Sequence, residues 1–391
     1  MITLTENTIN QDDIIHLVQW LLGNPTLTQG DRVKEFEAAF AKKMGINHAV
    51  FVNSGSSANL LMLYALKHVL GEKLDKDPNY KIVIPSLSWA TDLAPAIQLG
   101  LEPILVDCNM DDLSVDLDHL ESIFEKEQPQ ALILVSILGL VPDMEKIVEL
   151  CNKYQVNLLE DVCESLGSKY QGQSLGSFGL MSSFSFYYSH HISTIEGGMI
   201  TTNNEIVYYL LLMLRSHGWG RDLTPEIRQN LKEIANVDDL KEKFTFYVPG
   251  FNFRSTELQA VIGLEQLNKL DYIISTRHRN YIEYIKLLPD ILWVPQYRSD
   301  DIVSNFGMPI ISKYKDLIVE ALAENEIECR PLICGSLGQQ PMWKRFNGKS
   351  TLLTNSDEIN KNGIYIPNHS QITFDDIDEI CGVIKESLQD G

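Results

Sequence analysis

Apolar positions recur at helical spacing over residues 12–22 and 31–44, and Gly23-Asn24-Pro25 breaks the pattern between them. The pattern then changes. Ala49-Val-Phe-Val52 reads as a short buried strand, followed by the small-residue turn Asn53-Ser54-Gly55-Ser56-Ser57-Ala58-Asn59 and an apolar-faced helix running to about Leu70. Strands are predicted at 81–85, 103–107 and 131–138, with helices at 93–99 and 117–124 between them, and a further strand begins at Val156. A strand at 199–202, a helix at 206–215 and a helix at 256–269 continue the series. Such alternation builds an α/β fold, a mostly parallel sheet with helices on both faces and ligands at the carboxyl ends of its strands. From about Tyr284 the pattern becomes a strand at 306–311, a helix at 315–325 and a closing helix at 375–388. The expected division is a large α/β domain with an N-terminal helical segment over 1–283 and a small C-terminal α+β domain over 284–391.

Three stretches do not fit this pattern. Phe184-Ser-Phe-Tyr-Tyr-Ser-His190-His191-Ile-Ser-Thr-Ile-Glu196-Gly197-Gly198 has neither helical nor strand periodicity, and on its residues alone it also reads as a surface loop with solvated histidines. Val156-Asn-Leu-Leu-Glu160-Asp161-Val-Cys-Glu164 delivers acidic residues at the end of an apolar strand, where a buried carboxylate needs a cationic partner, although an acidic helix cap gives the same pattern. Residues 223–243 mix charges with little apolar periodicity and suggest an excursion or lid. The Gly55-Ser56-Ser57 turn can present N–H groups to an anion at a helix N-terminus, or simply cap the helix.

Composition narrows the possible partners. The 391 residues carry 32 basic and 53 acidic side chains, a formal charge of −21, which argues against nucleic acid or an anionic membrane as partner. An anionic substrate would need local positive charge, for which His217, Arg221, Arg254 and Arg330 are candidates. Ala131 to Val141, the longest apolar run, is interrupted by Ser136 and Gly139, and the first residues lack the pattern of a secretory leader. The six cysteines have no CxxC spacing, so reduced thiols of a cytoplasmic protein are expected, with no metal site.

The 184–198 stretch resembles the signature of the DegT-type sugar aminotransferases, fold-type I enzymes that use pyridoxal phosphate (PLP). In that signature a Ser-Phe start leads to a lysine six residues before Glu-Gly-Gly; Ser185, Phe186, Glu196, Gly197 and Gly198 match it, and His190 occupies the lysine position. The resemblance runs from about Thr26 to the end of the chain. It implies that Gly55, Ser56 and Ser57 hold the PLP phosphate, Trp89 stacks on the pyridine ring and Asp161 pairs with the ring nitrogen. By the same resemblance Glu164 lies near the ring hydroxyl, and Ser185 belongs to the cofactor site. Asn252, in Val248-Pro-Gly-Phe-Asn, is expected to reach the phosphate of a neighbouring subunit, implying a homodimer with shared active sites. His217, in Ser216-His-Gly, matches a segment near the nucleotide-sugar site.

The family lysine holds PLP covalently and moves the protons of transamination. A small branch of the family with histidine there removes a hydroxyl from sugar C3 instead, using L-glutamate to generate pyridoxamine phosphate (PMP). The resemblance therefore implies a 3-dehydratase of a nucleotide-linked 4-keto-6-deoxy sugar, GDP-linked by the wording of the segment, with His190 as acid and base. His191 is adjacent and remains open as the base. Three rivals are an iron–sulfur 3-dehydratase, a plain sugar aminotransferase and a catalytically silent PLP-fold binding protein. The first needs clustered cysteines after the His-Gly segment, and residues 219–248 contain none; the second lacks its lysine.

Overall fold

The computed structural model describes residues 1–71 and 80–389. In chain order the strands are β1 (His48–Val52), β2 (Lys81–Pro85), β3 (Glu102–Val106), β4 (Ala131–Val135), β5 (Asn157–Asp161), the short hairpin β6 (Lys169–Tyr170) and β7 (Gln173–Ser174), β8 (Met181–Ser185) and β9 (Gly198–Thr202). Seven of them form one sheet in the order β1-β9-β8-β5-β4-β2-β3. Neighbours pair in parallel except β9, which runs against both β1 and β8. The carboxyl ends of β1, β2, β4, β5 and β8 therefore share one edge of the sheet with the start of β9. Every residue of β4, β8 and β9 is buried, which in β4 gives a continuous apolar run in place of alternation and in β8 and β9 buries serines and threonines as well.

Helix α1 (Gln11–Leu22) opens with Asn10 in a capping box with Asp13, and α2 (Asp31–Met44) ends at Gly45 in the left-handed conformation. Phe36 and Phe40 of α2 pack edge-on against Phe51 of β1 and Phe184 of β8, with ring centroids 4.9 and 5.0 Å apart. Phe184 and Phe186 thus belong to the core, whereas Tyr187 and Tyr188, the next two residues, are exposed. A buried pair, Arg215 with Glu37, also braces β1: Glu37 accepts the Phe51 N–H at 2.8 Å and Arg215 donates to the Phe51 carbonyl at 2.9 Å.

Three element readings change. The strand expected over 131–138 ends at Val135, and Ile137–Gly139 forms a 3₁₀ turn with Leu138 at φ 50°. All three turn residues are buried, so hydrophobicity alone could not mark the end of the strand. The helix expected over 256–269 is Glu257–Leu287, 31 residues long and capped by Thr256 with Gln259. Its second half buries polar groups that interrupt the apolar pattern: Arg277 donates to the carbonyls of Asn305, Phe306 and Asn368, Asn280 to Ile372, and Tyr284 to Pro367. The boundary expected at 283/284 falls inside this helix. Residues 223–243 contain helices Pro225–Ile234 and Asp239–Glu242, with no buried residue in either. Ile227, Leu231 and Ile234 do recur at helical spacing, a short signal hidden among charges.

The last third of the chain adds a three-stranded antiparallel sheet, β10 (Gly307–Ile311), β12 (Gly363–Pro367) and β11 (Arg330–Pro331), in that order. Residues 2–6 run along it. Ile2 exchanges backbone hydrogen bonds with Glu326 and Glu328, Leu4 N–H donates to the Glu328 carboxylate at 2.8 Å, and Ser370 donates through N–H and hydroxyl to Glu6.

Candidate active site

A cavity of about 380 Å³ lies where the strand ends converge, and the second sheet closes it with Arg330, Ile333 and Tyr365. Thr5 completes the wall. At its β1 side, Ser54 caps helix α3 (Gly55–Leu70): its hydroxyl accepts the Ser57 N–H at 3.0 Å and its carbonyl the Ala58 N–H at 3.1 Å. Gly55 and Ser56 line the cavity at the positive end of this 16-residue helix. Two glycines make the approach feasible: a Cβ on Gly55 would lie 2.7 Å from that of Ser185, and one on Gly198 would lie 2.3 Å from the Ser54 carbonyl oxygen. The Ser57 hydroxyl bonds to Ser54 Oγ at 2.9 Å, and the residue does not line the cavity.

Asp161, at the end of β5, is buried. One of its oxygens accepts the Cys163 N–H at 2.8 Å and the other the Asn59 amide at 2.6 Å. Both donors are neutral, so the carboxylate still lacks a cation of the kind a protonated pyridine nitrogen would supply. Glu164, one turn on, also lines the cavity. Burial raises its carboxyl to about 7, the Leu138 N–H at 2.9 Å acts in the opposite direction, and the charge of Asp161 raises it further. Trp89, which follows β2 and precedes helix Ala90–Gln98, is 54% exposed and lines the same space. An anion cradle, an open aromatic face and a buried carboxylate with neutral partners fit a phosphorylated pyridine cofactor.

The two histidines separate cleanly. His190 is half-buried on the cavity wall, its ring 5.4 Å from that of Phe306, and its Nδ1 has no hydrogen-bond partner. Burial lowers its pKa to about 4, while the charge of Asp161 opposes the shift, so the imidazole is neutral near pH 7. His191 is fully buried, points Nε2 at the Ser304 carbonyl at 2.9 Å and stands outside the cavity; burial holds it neutral too. Among the described residues that line the cavity there is no lysine. The path from His190 to β9 passes through Ile195 at φ 71°, an unusual conformation for a β-branched residue, held by Ile195 N–H on Ser193 Oγ at 3.0 Å.

The structure brings Gly55, Ser56, Trp89, Asp161, Glu164, Ser185, His190 and Arg330 into one cavity. It leaves Asn252, His217, Arg221 and Arg254 outside it. Asn252 is exposed and paired in an isolated bridge with Ser216, Arg254 donates to Ser216 Oγ at 3.1 Å, and Arg221 stacks over Trp219 at 4.7 Å. Sequence reasoning missed Asn59, Asp92, Phe306, Tyr365 and Thr5. Asp92 carried a faint signal, an acid four residues past Ser88 beyond a strand end; the others carried none, because distant segments bring them in.

Comparison with known proteins agrees with this geometry. A GDP-4-keto-6-deoxy-D-mannose 3-dehydratase of Escherichia coli O55:H7 is 36% identical over 375 residues, covering 94% of this chain and 95% of that protein. One of the same name from Yersinia pseudotuberculosis is 33% identical, covering 95% of each. A solved GDP-4-keto-6-deoxymannose-3-dehydratase carrying a trapped PLP-glutamate geminal diamine superposes with a TM-score of 0.88 at 32% identity, covering 98% of this chain and 100% of that one. The fold is that of the PLP-dependent aminotransferases. Residues 8–385 match the family model, and the chain belongs to the DegT/DnrJ/EryC1/StrS aminotransferase family.

Proposed function

We propose that the protein is a PLP- and glutamate-dependent 3-dehydratase of a nucleotide-linked 4-keto-6-deoxy sugar, GDP-4-keto-6-deoxymannose by likeness to its relatives. One observation carries the proposal: the cavity is lined by a neutral imidazole, His190, and by no lysine among its described lining residues. When bound, PLP supplies the amino carrier and electron sink. Gly55 and Ser56 hold its phosphate, Trp89 covers the ring, Asp161 keeps the ring nitrogen protonated, and Glu164 and Ser185 orient it from the β5 and β8 ends.

His190 would take the proton from the glutamate α-carbon and return it to the cofactor, which would keep the amino group as glutamate leaves as 2-oxoglutarate. In the second half His190 would take that proton back and give it to the departing C3 hydroxyl, and a neutral imidazole can perform both tasks near pH 7. With no lysine amine to displace the product, water releases the 3-deoxy-4-keto sugar and ammonia. The two electrons that replace C–OH by C–H come from glutamate. Arg330 offers a cation to the substrates at the mouth. Asn252, His217, Arg221 and Arg254 fit a second role: in a cytoplasmic homodimer they would complete the partner's site.

The test is anaerobic turnover of GDP-, CDP- and dTDP-linked 4-keto-6-deoxy sugars by metal-free protein with PLP and glutamate. Equal amounts of deoxy sugar, 2-oxoglutarate and ammonia are expected. A 4-amino sugar as main product, or turnover that demands iron and a reductase, would overturn the proposal.

A further inference from the structure

Asp92 has no place in the chemistry above, yet it is wholly buried on the cavity floor. The Asn59 amide nitrogen donates to Asp92 Oδ1 at 3.1 Å and to Asp161 Oδ2 at 2.6 Å, so one amide joins two carboxyls. Ser88 Oγ donates to the other Asp92 oxygen. Among the described residues, the titratable groups that face Asp92 are Asp161 at the end of β5, Cys163 and Glu164 just after it and Cys334 beside the second sheet, and none is a cation. Two buried carboxylates cannot both ionise beside one neutral amide without a large electrostatic cost.

We infer that Asp92 is a positioning residue: as a neutral acid bridged by Asn59, it holds the Asp161 carboxylate in the orientation that receives the cofactor ring nitrogen. Burial first, and the Asp161 charge second, keep its proton in place well above the ordinary carboxyl range, while the Ser88 hydroxyl acts in the opposite direction. The arrangement leaves a single negative charge on the floor for the ring to neutralise. The inference rests on Asp161 being the ring-nitrogen partner, and its test separates the two.

The first measurement is infrared difference spectroscopy of cofactor-free protein labelled with 13C-aspartate. At pH 7 wild type should show a protonated aspartate carbonyl band that is missing in Asp92→Asn. Absence of that band in wild type overturns the inference whether or not PLP binds. The second measurement is PLP retention by equilibrium dialysis, with the absorbance of the bound cofactor followed against pH. Asp92→Asn, which keeps the shape without charge, should retain PLP as wild type does; Asp92→Ala should weaken it about tenfold and move the absorbance titration. Asn failing as badly as Ala, with both variants folded, would also overturn the neutral-acid role. Wild type that shows the band and does not bind PLP would instead defeat the functional reading alone.

Discussion

The cavity floor and the 217–254 segment were both matched to cofactor or substrate roles, and the fold treats them in opposite ways. On the floor, Asp161, Asn59 and Asp92 are buried and each is fixed by at least two hydrogen bonds, so little conformational entropy remains to be lost on binding. In the segment, His217 and Asn252 are exposed, and the helices that follow bury nothing; Leu240 and Phe244 are 86% and 74% exposed. Polar side chains facing away from their own cavity, beside exposed apolar ones, are what a shared site predicts in a single chain. One region is finished within the chain, and the other would find its role against a neighbour in the proposed homodimer.

The largest expected effect lies on the cavity wall. His190→Asn should cut dehydration by about 10³-fold, within the range for losing a general acid–base group, while dialysis shows PLP retained. His191→Asn should lower thermal stability by about 1 kcal/mol through its bond to Ser304 and leave chemistry largely in place. The opposite pattern would move the base to His191.

Subunit mixing tests the outer segment. Separately inactive His190→Asn and Asn252→Ala chains should regain activity when exchanged into heterodimers, followed by product formation with exchange checked by mass. Demonstrated exchange with no recovery would make the segment a bystander.

A smaller effect is expected at the cavity mouth. Arg330→Gln should raise KM for the anionic substrates about tenfold while kcat changes little, as expected for lost uniform binding by one charged contact.

The smallest effect is on pH-dependent stability of the cofactor-free protein. Glu164 titrates near 7 when folded, so the native state keeps a proton that the unfolded chain loses between about pH 4.5 and 7. Stability from this group is present at low pH and declines through that window. Glu164→Gln should flatten the decline by on the order of 1 kcal/mol. His190 has the opposite sign: its folded pKa near 4 makes the protein lose stability as pH falls from about 6.5 toward 4, and His190→Asn should soften that acid limb. Thermal unfolding from pH 4 to 8 measures both.

The parallel strands and part of the site were legible from local signals, an apolar run ending in Asp161 and a Gly-Ser turn opening a helix, and His190 from the family resemblance that puts it in a lysine frame. The far half of helix Glu257–Leu287 was not, because Arg277 and Asn280 answer to carbonyls about 30 to 90 residues away in the chain. Asn59 and Asp92 were hidden for the same reason: an asparagine in a helix and an aspartate in a first turn look ordinary until Asn59 is seen to bridge Asp92 and Asp161. The resemblance groups Ser57 with Gly55 and Ser56, and what the sequence does not show is that its N–H donates to Ser54 Oγ.

Residues 2–6 give the cavity a history as well as a shape. Thr5 can close the wall once Ile2 and Leu4 have paired with 326–328 and Glu6 has met Ser370, contacts that span more than 300 positions. Pairings at such separation carry the highest loop-closure cost, so they are expected to form late in folding. The floor, whose bridging bonds span 33 and 102 positions, would then assemble before its roof, and a cofactor would be captured by a nearly finished molecule. PLP retention would then report arrival at the native state, with slow capture during refolding as the trace left by the last segment to dock.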